Sequence, residues 1–329
     1  TGKMLLNLDT EEDGAFYVGC AGGMDSLGIF KIEYEEPKKG YIPFSLFVSG
    51  LKGGHSGINI SDGRANAIKI LGLLISMLEK YDYQLAFING GSKRNAIPRE
   101  AEAIIFLSPD NDANVRELIN AFTLETVLEF RLRDDSIKIN FERDDVAVNT
   151  YSKVYTKQFS TNVINTILGM PHGVIAMSAN IPELVETSTN LATVVLEGDT
   201  LKIGTSQRSS IESAKKNIAK SVKAVFDLAG AEVKVGDGYP GWQPDMDSQL
   251  LKISKRVFKD IFSKEPELKA VHAGLECGIL GDKYPGIQMV SFGPTIEGAH
   301  SPDEKVKIAD VDKFYRLLKS ILAEIANLN

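Results

Sequence analysis

Tyr41-Ile42-Pro43-Phe44-Ser45-Leu46-Phe47-Val48-Ser49-Gly50-Leu51-Lys52-Gly53-Gly54-His55-Ser56-Gly57 is the stretch whose reading decides the fold. Its first half puts Phe44, Leu46 and Val48 on one face, the period-two pattern of a half-buried strand. Its second half is a glycine-rich loop carrying one imidazole. A helix is expected over 64–80, with the apolar stripe Ile68, Leu71, Leu74, Ile75 and Leu78. Strands follow over 84–88 and 102–107, separated by the Gly90-Gly91-Ser92 turn and a polar loop. The order strand–helix–strand–strand then recurs. A strand over 136–141 alternates through Ile137, Ile139 and Phe141, and a helix over 159–168 ends at Gly169 and Pro171. Strands over 191–196 and 200–204 form a hairpin around Glu197-Gly198-Asp199.

Outward from this pair, a further helix is expected over 114–130. Ser209 offers an N-cap with Glu212 at the capping-box position, opening a helix that a strand over 231–235 follows. At the front of the chain, strands over 4–8 and 16–18 flank an acidic turn, and Gly19, Gly22 and Gly23 read as a tight connection. From Gly236 the texture changes to a rigid turn, a helix over 248–262, a strand edge at 290–292 and a periodic helix over 308–325. The expected architecture is α/β with a mixed sheet. Segments 1–26 and 236–329 form one layer, and an inserted α+β domain over 27–235 is made of two sheet-and-helix units.

The chain has 329 residues, with Lys plus Arg 37 against Asp plus Glu 44, a net charge of −7. No basic surplus exists to neutralise phosphates, which argues against a nucleic-acid or anionic-membrane partner. Cys20 and Cys277 make no CxxC and no disulfide framework, which favours a reducing, cytoplasmic compartment. No apolar run approaches the ~18 residues of a membrane span. The start is not a signal peptide. It carries no initiator Met and runs directly into a strand, so the chain reads as a fragment.

Among the residues able to carry chemistry, His55 sits between glycines, which reads either as a flexible surface turn or as an unobstructed functional imidazole. His300, in Gly298-Ala299-His300-Ser301-Pro302-Asp303-Glu304, follows a strand end, where α/β enzymes place ligands. His272 reads as a packed histidine with a hydrogen bond, and His172 as a helix-end residue. Asp9 ends an apolar strand and is a hard-oxygen ligand type, although taken in isolation a solvated acidic turn explains it better. Arg208 stands where a strand hands over to a helix, so its guanidinium and the helix-start N–H groups would together grip a carboxylate. There is no HExxH, zinc-finger spacing, dinucleotide fingerprint or nucleophile elbow, and Gly90–Asn95 lacks the Walker spacing.

Taken in order, Asn7-Leu8-Asp9-Thr10-Glu11-Glu12, Val18-Gly19-Cys20-Ala21-Gly22-Gly23, Gly53-Gly54-His55-Ser56-Gly57, Gly91–Arg99, Thr205-Ser206-Gln207-Arg208-Ser209-Ser210, His272-Ala273-Gly274-Leu275-Glu276-Cys277-Gly278 and Gly298–Glu304 resemble the M20 metallopeptidases. The similarity is to the aminoacyl-histidine dipeptidase branch. The resemblance implies two divalent ions, usually zinc with cobalt or manganese as alternatives, in a catalytic domain of which the outer segments here are the remnant. It implies an inserted lid that mediates dimerisation, and a dipeptide substrate. Residue by residue, it implies Asp9 and His300 as metal ligands, His55 as the lid histidine near the substrate carbonyl, and Asn95 near the substrate. It further implies Arg208 as the carboxylate anchor, with Gly274 and Glu276 lining the site. The His-x-Asp, bridging Asp and Glu-Glu pair of the family precede the position of Asp9 and are not in this sequence. Glu11-Glu12 matches a different position. The resemblance therefore implies an incomplete two-ion site that awaits an upstream segment. A non-catalytic interaction or scaffold protein descended from such a peptidase is the competing reading.

Overall fold

The computed structural model describes residues 2–298 and 303–328. The fold is mixed α/β, organised on two main sheets. A four-stranded sheet runs in the order Met4–Asn7, Gln288–Ser291, Ala15–Cys20, Glu267–Val271, and so draws its strands from both ends of the chain. Met4–Asn7 is parallel to Gln288–Ser291, with Leu6 opposite Val290. Helices Gln249–Phe262 and Ile308–Ala326 cover one face through Leu250, Val257, Phe258, Leu317 and Ile321, packed on Phe16, Val18 and Val290. The other face packs Cys20, Trp242, Cys277 and Met289.

The nine-stranded sheet takes the middle of the chain. Its order is Lys138–Arg143, Ile42–Ser49, Ala101–Leu107, Gln84–Gly90, Val185–Glu197, Thr200–Ser209, Gly22–Lys31, Glu232–Val235, with Gly173–Met177 also on Val185–Glu197. Phe44, Leu46 and Val48 point to a single large core shared with helices Ala67–Met77, Asp112–Phe130, Lys157–Gly169 and Glu212–Leu228. Alternation is the physical reason: one side of each strand meets the helices and the other does not.

The repeated strand–helix–strand–strand order does not map onto two units as expected. Lys138–Arg143 belongs beside Ile42–Ser49, where Phe141 stacks on Phe44 with ring centroids 4.7 Å apart. Its expected hairpin partners lie across the sheet. The two halves join at one register pair, Gly90 with Val194. Gly22 and Gly23 are not a tight connection but the start of a long strand. They are glycines because a Cβ at Gly22 would lie 2.5 Å from the Gly241 nitrogen, and one at Gly23 2.6 Å from the Tyr239 ring. The change from one sheet to the other falls at Ala21.

Ser209 is not an N-cap. It is the last residue of its strand, and the following helix begins at Glu212 after Ile211 with no side-chain cap. The Ser209 hydroxyl faces Thr187 Oγ1 at 2.9 Å and accepts from the Ile211 N–H, while Glu212 pairs with Lys215. Helix Ala67–Met77 has the clear cap: Asn66 Oδ1 accepts from the Ile68 and Lys69 N–H groups, and its amide donates to the Leu191 carbonyl at 2.8 Å. Among the described residues no helix is long and apolar enough to cross a membrane.

Candidate active site

Arg208 is the penultimate residue of the strand Thr200–Ser209, four residues before helix Glu212–Leu228 begins, so it stands near the expected hand-over from strand to helix. It sits on the sheet face opposite the helical core, because Leu201 and Ile203 take the core side and the strand alternates. In register it lies between Ser188 and Gly23. The side chain is only 7% exposed. One terminal nitrogen donates to the Tyr239 hydroxyl at 2.9 Å, while Nε is buried with no hydrogen-bond partner. A buried, half-satisfied guanidinium is costly without an anionic or polar guest.

Tyr239 was not legible as a site residue; its neighbours read only as a rigid turn. In the fold its ring lies over Gly23, and a Cβ at Gly274 would sit 2.9 Å from it. Its backbone is fastened by Gly23 in both directions and by Lys215, whose ammonium is buried and donates to the Tyr239 carbonyl at 2.7 Å. The available signal was glycine at 23 and 274, positions far apart in sequence that both lie against the Tyr239 ring.

His55 lies in a short strand, Gly54–His55, paired with Ala96–Ile97. Gly54 is at φ +136°, and a Cβ there would meet Arg64 at 2.7 Å and Asn59 at 2.8 Å, so glycine is required to set the turn. His55 Nδ1 accepts from the Gly57 and Ile58 N–H groups at 3.2 and 3.1 Å. That places the imidazole proton on Nε2 and leaves it as a donor. Burial, and then the charge of Arg208, hold the pKa of His55 below its ordinary value, so the neutral donor form is kept. His272 is buried, with Nε2 2.7 Å from the Ser188 hydroxyl, beside Arg208. Burial first, then Arg208, lower its pKa to about 4. Its packed, hydrogen-bonded state is the one read from the sequence. His172 is not a simple helix-end residue: its Nδ1 meets the Asn66 amide and the Leu191 N–H, both at 3.4 Å.

Asn95 is exposed on the 93–97 loop. Its carbonyl accepts from the Ser56 N–H at 2.9 Å, tying that loop to the His55 turn. Asn95 lines two adjoining clefts, one of ≈ 870 Å³ with His55 and Arg99, the other of ≈ 540 Å³ with Arg208, Ser206 and Tyr239. Ser56 Oγ and Asn190 Oδ1, which flank the same loop, are also buried without partners. Unsatisfied polar atoms are rare in folded proteins, and a cluster of them beside clefts marks a place for a ligand.

The fold does not bring every expected residue here. Gly274 is exposed beside Tyr239, whereas Glu276 is an exposed first residue of helix Glu276–Lys283. Asp9 is exposed just beyond Met4–Asn7, its N–H donating to Asn7 Oδ1 at 3.2 Å. Glu12 is committed to Lys269 and to the Tyr17 hydroxyl, which hold its carboxyl below the usual range. His300 lies outside the described residues. Among the described residues no group of three or more His, Cys, Asp and Glu side chains could hold a metal ion. Asp9 alone cannot complete a two-ion centre, which needs several ligands and a bridge.

Three findings on similarity agree with the motif order. The sequence profile of an M20-type peptidase dimerisation domain matches residues 48–127. The cytosol non-specific dipeptidase of Escherichia coli (strain K12) is 38% identical over 323 residues, covering 98% of this chain and 66% of that protein. The crystal structure of aminoacylhistidine dipeptidase from Vibrio alginolyticus superposes with a TM-score of 0.93 at 37% identity, over 98% of this chain and 65% of that one. The chain thus spans just under two thirds of the relatives it matches. With the fold and more than a third of the residues held in common over nearly its whole length, the chain belongs to the M20 metallopeptidase family and is closely related to its aminoacylhistidine and cytosol dipeptidases.

Proposed function

We propose that the whole protein is a metal-dependent cytoplasmic dipeptidase acting on Xaa-His dipeptides. In this reading residues 27–235 form the lid and dimerisation domain, and 1–26 with 236–329 belong to the catalytic domain. The observation that carries the proposal is a buried, half-satisfied Arg208 near enough to a neutral His55 to depress its pKa, the Nε2–H of His55 making no hydrogen bond among the described residues. Arg208 binds the C-terminal carboxylate of the substrate, which confines the site to short peptides with a free end. Tyr239 keeps the guanidinium turned to the cleft. His55 donates to the peptide carbonyl, and the charge it meets as that oxygen becomes anionic makes the bond stronger in the transition state than in the ground state. Asn95 orients the bound peptide between the two clefts, beside the loop of Gly274 and Glu276.

Two divalent ions, zinc with cobalt or manganese as substitutes, would polarise the carbonyl and activate water. Asp9 and His300 would be this chain's ligands to them, and the rest are sought in the third of the relatives that this chain does not span. The lid pairs two copies in a homodimer, consistent with the name of the profile that matches residues 48–127. The test is to assay the 329-residue chain with zinc on a Xaa-His dipeptide, alone and fused to the upstream segment of its gene. Activity that needs the fusion, is removed by a chelator and is lost in His300→Ala but not His172→Ala supports the reading. Chelator-sensitive turnover by the chain alone refutes the division of ligands.

A further inference from the structure

On the other side of the large-sheet region is a cavity of ≈ 270 Å³ that shares no lining residue with the His55 and Arg208 clefts. It lies between the end of helix Ala67–Met77, the first turns of helix Lys157–Gly169 and the start of strand Gln84–Gly90. Tyr155, 1% exposed, and Ser160, 5% exposed, both line it, and neither hydroxyl has a hydrogen-bond partner. Two unsatisfied buried hydroxyls at one cavity are a cost that a polar guest would relieve.

The charged lining residues divide into two sets. Lys38 is paired with Asp82, which also accepts from the Tyr41 hydroxyl. Glu35 accepts from the Gln84 amide at 3.0 Å, and Gln84 Oε1 accepts the Lys38 N–H at 2.7 Å. These groups are spent on one another. Glu79 and Lys157 form no ion pair or side-chain hydrogen bond among the described residues, and both stand exposed at the cavity. One carboxylate and one ammonium without an ion pair among the described residues, with two buried unpartnered hydroxyls behind them, complement a small zwitterion. A plain amine or a plain carboxylate would leave one charge unanswered. Tyr83 and Ile164 add apolar wall for a side chain. The volume of ≈ 270 Å³ is just below the about 300–1,000 Å³ of drug-sized ligand sites, which suits a small guest.

We propose that this cavity is a binding site for a free α-amino acid. The ammonium of the ligand meets Glu79, and its carboxylate meets Lys157 with the Tyr155 and Ser160 hydroxyls donating. The site does not depend on the dipeptidase reading, since none of its residues belongs to that machinery.

The experiment is isothermal titration calorimetry of this chain with L-leucine, N-acetyl-L-leucine and L-leucine methyl ester. Saturable binding of L-leucine is expected, with both blocked forms weakened about tenfold or more, because each loses one charge-assisted contact. Glu79→Gln and Lys157→Gln are surface changes that leave the fold alone, and each should weaken L-leucine by a similar factor. Tyr155→Phe removes one oxygen and should weaken it less. Arg208→Ala is the control for amino acid held at the candidate active site and should leave the affinity unchanged. No saturable heat up to about 10 mM, equal binding of the blocked forms, or loss of binding in Arg208→Ala with retention in Glu79→Gln would each overturn the assignment.

Discussion

The large sheet holds its candidate residue Arg208 deep and braced, whereas the small sheet leaves its candidate residues at its rim. Arg208 is fixed by strand register between Ser188 and Gly23 and braced by Tyr239. His55 is fixed by two backbone N–H groups. On the small sheet, Asp9 and Glu276 lie exposed on connections at strand and helix ends. The cores differ in the same sense: the large sheet buries one continuous cluster under four helices, and the small sheet has a thinner cluster on each face. Groups that bind by shape and hydrogen bond can be made ready by one sheet. A metal centre needs ligands converging from several strand ends, and a lone carboxylate at one of them gains nothing from burial.

The sharpest way to break this contrast is to weaken one core and watch the other. Phe16 meets Phe258 and Phe292 edge-on at 5.7 and 5.5 Å. Phe16→Ala should cost about 3–5 kcal/mol. Hydrogen exchange should rise in Ala15–Cys20 and Gln288–Ser291 and stay low in Ala101–Leu107. Equal loss of protection in both sheets would show them to be one cooperative unit.

Next in size is a pH effect at the contact between the two regions. The folded pKa of His272 is lowered from 6.5 to about 4. Between those values the unfolded chain binds a proton that the native chain refuses. Stability therefore is fully present above about 6.5 and falls as pH drops toward 4, by on the order of 3 kcal/mol. Urea unfolding at several pH values should show this slope, and His272→Gln should flatten it in part. The remainder belongs to His172, whose pKa is lowered in the same direction by burial. An unchanged slope in His272→Gln would remove His272 from the account.

In an enzyme carrying the upstream segment, Arg208→Ala should cut kcat/KM for dipeptides by about 10–100-fold, the ~1.5–3 kcal/mol of a hydrogen bond to a charged group. C-terminally amidated substrates should be hardly affected. A modest fall in Tm is expected too, because the side chain is buried and the Tyr239 hydroxyl loses its partner. Equal losses on free and amidated substrates would mean that Arg208 only supports the sheet. The smallest effect is Asn66→Ala, which removes a helix cap and a bond to Leu191 and should cost about 0.5–2 kcal/mol, within the large-sheet region alone. Thermal melts followed at both sheets would show whether it stays there.

Much of this was legible beforehand where the information is local. The alternation of Phe44, Leu46 and Val48, the stripe of the helix after them and the terminal helix are all present near their expected positions. The packed state of His272 was read correctly from its apolar neighbour. What was misread is instructive. Ser209-x-x-Glu212 has the composition of a capping box, but a strand ending at Ser209 takes the serine into the sheet. Gly22 and Gly23 have the composition of a turn, but a neighbouring ring and backbone require their lack of side chains inside a strand. Tyr239 was missed because nothing in its own segment distinguishes a structural turn tyrosine from one that braces an arginine.

The sequence by itself determined many of the element types, the single-faced character of the central strands and the ordered motifs, whose family resemblance points to His55, Asn95 and Arg208. These depend on period, spacing and side-chain chemistry, which a linear chain displays. Only the tertiary structure decided which strand lies beside which, because pairing is set by contacts far apart in sequence: Phe141 goes to Phe44 and not to its hairpin neighbours. It also decided that Arg208 is buried near the end of its strand with one nitrogen unpaired, that Tyr239 holds it, and that His55 keeps its proton on Nε2. Protonation, burial and hydrogen-bond satisfaction are properties of a surrounding, and the surrounding exists only once the chain has folded.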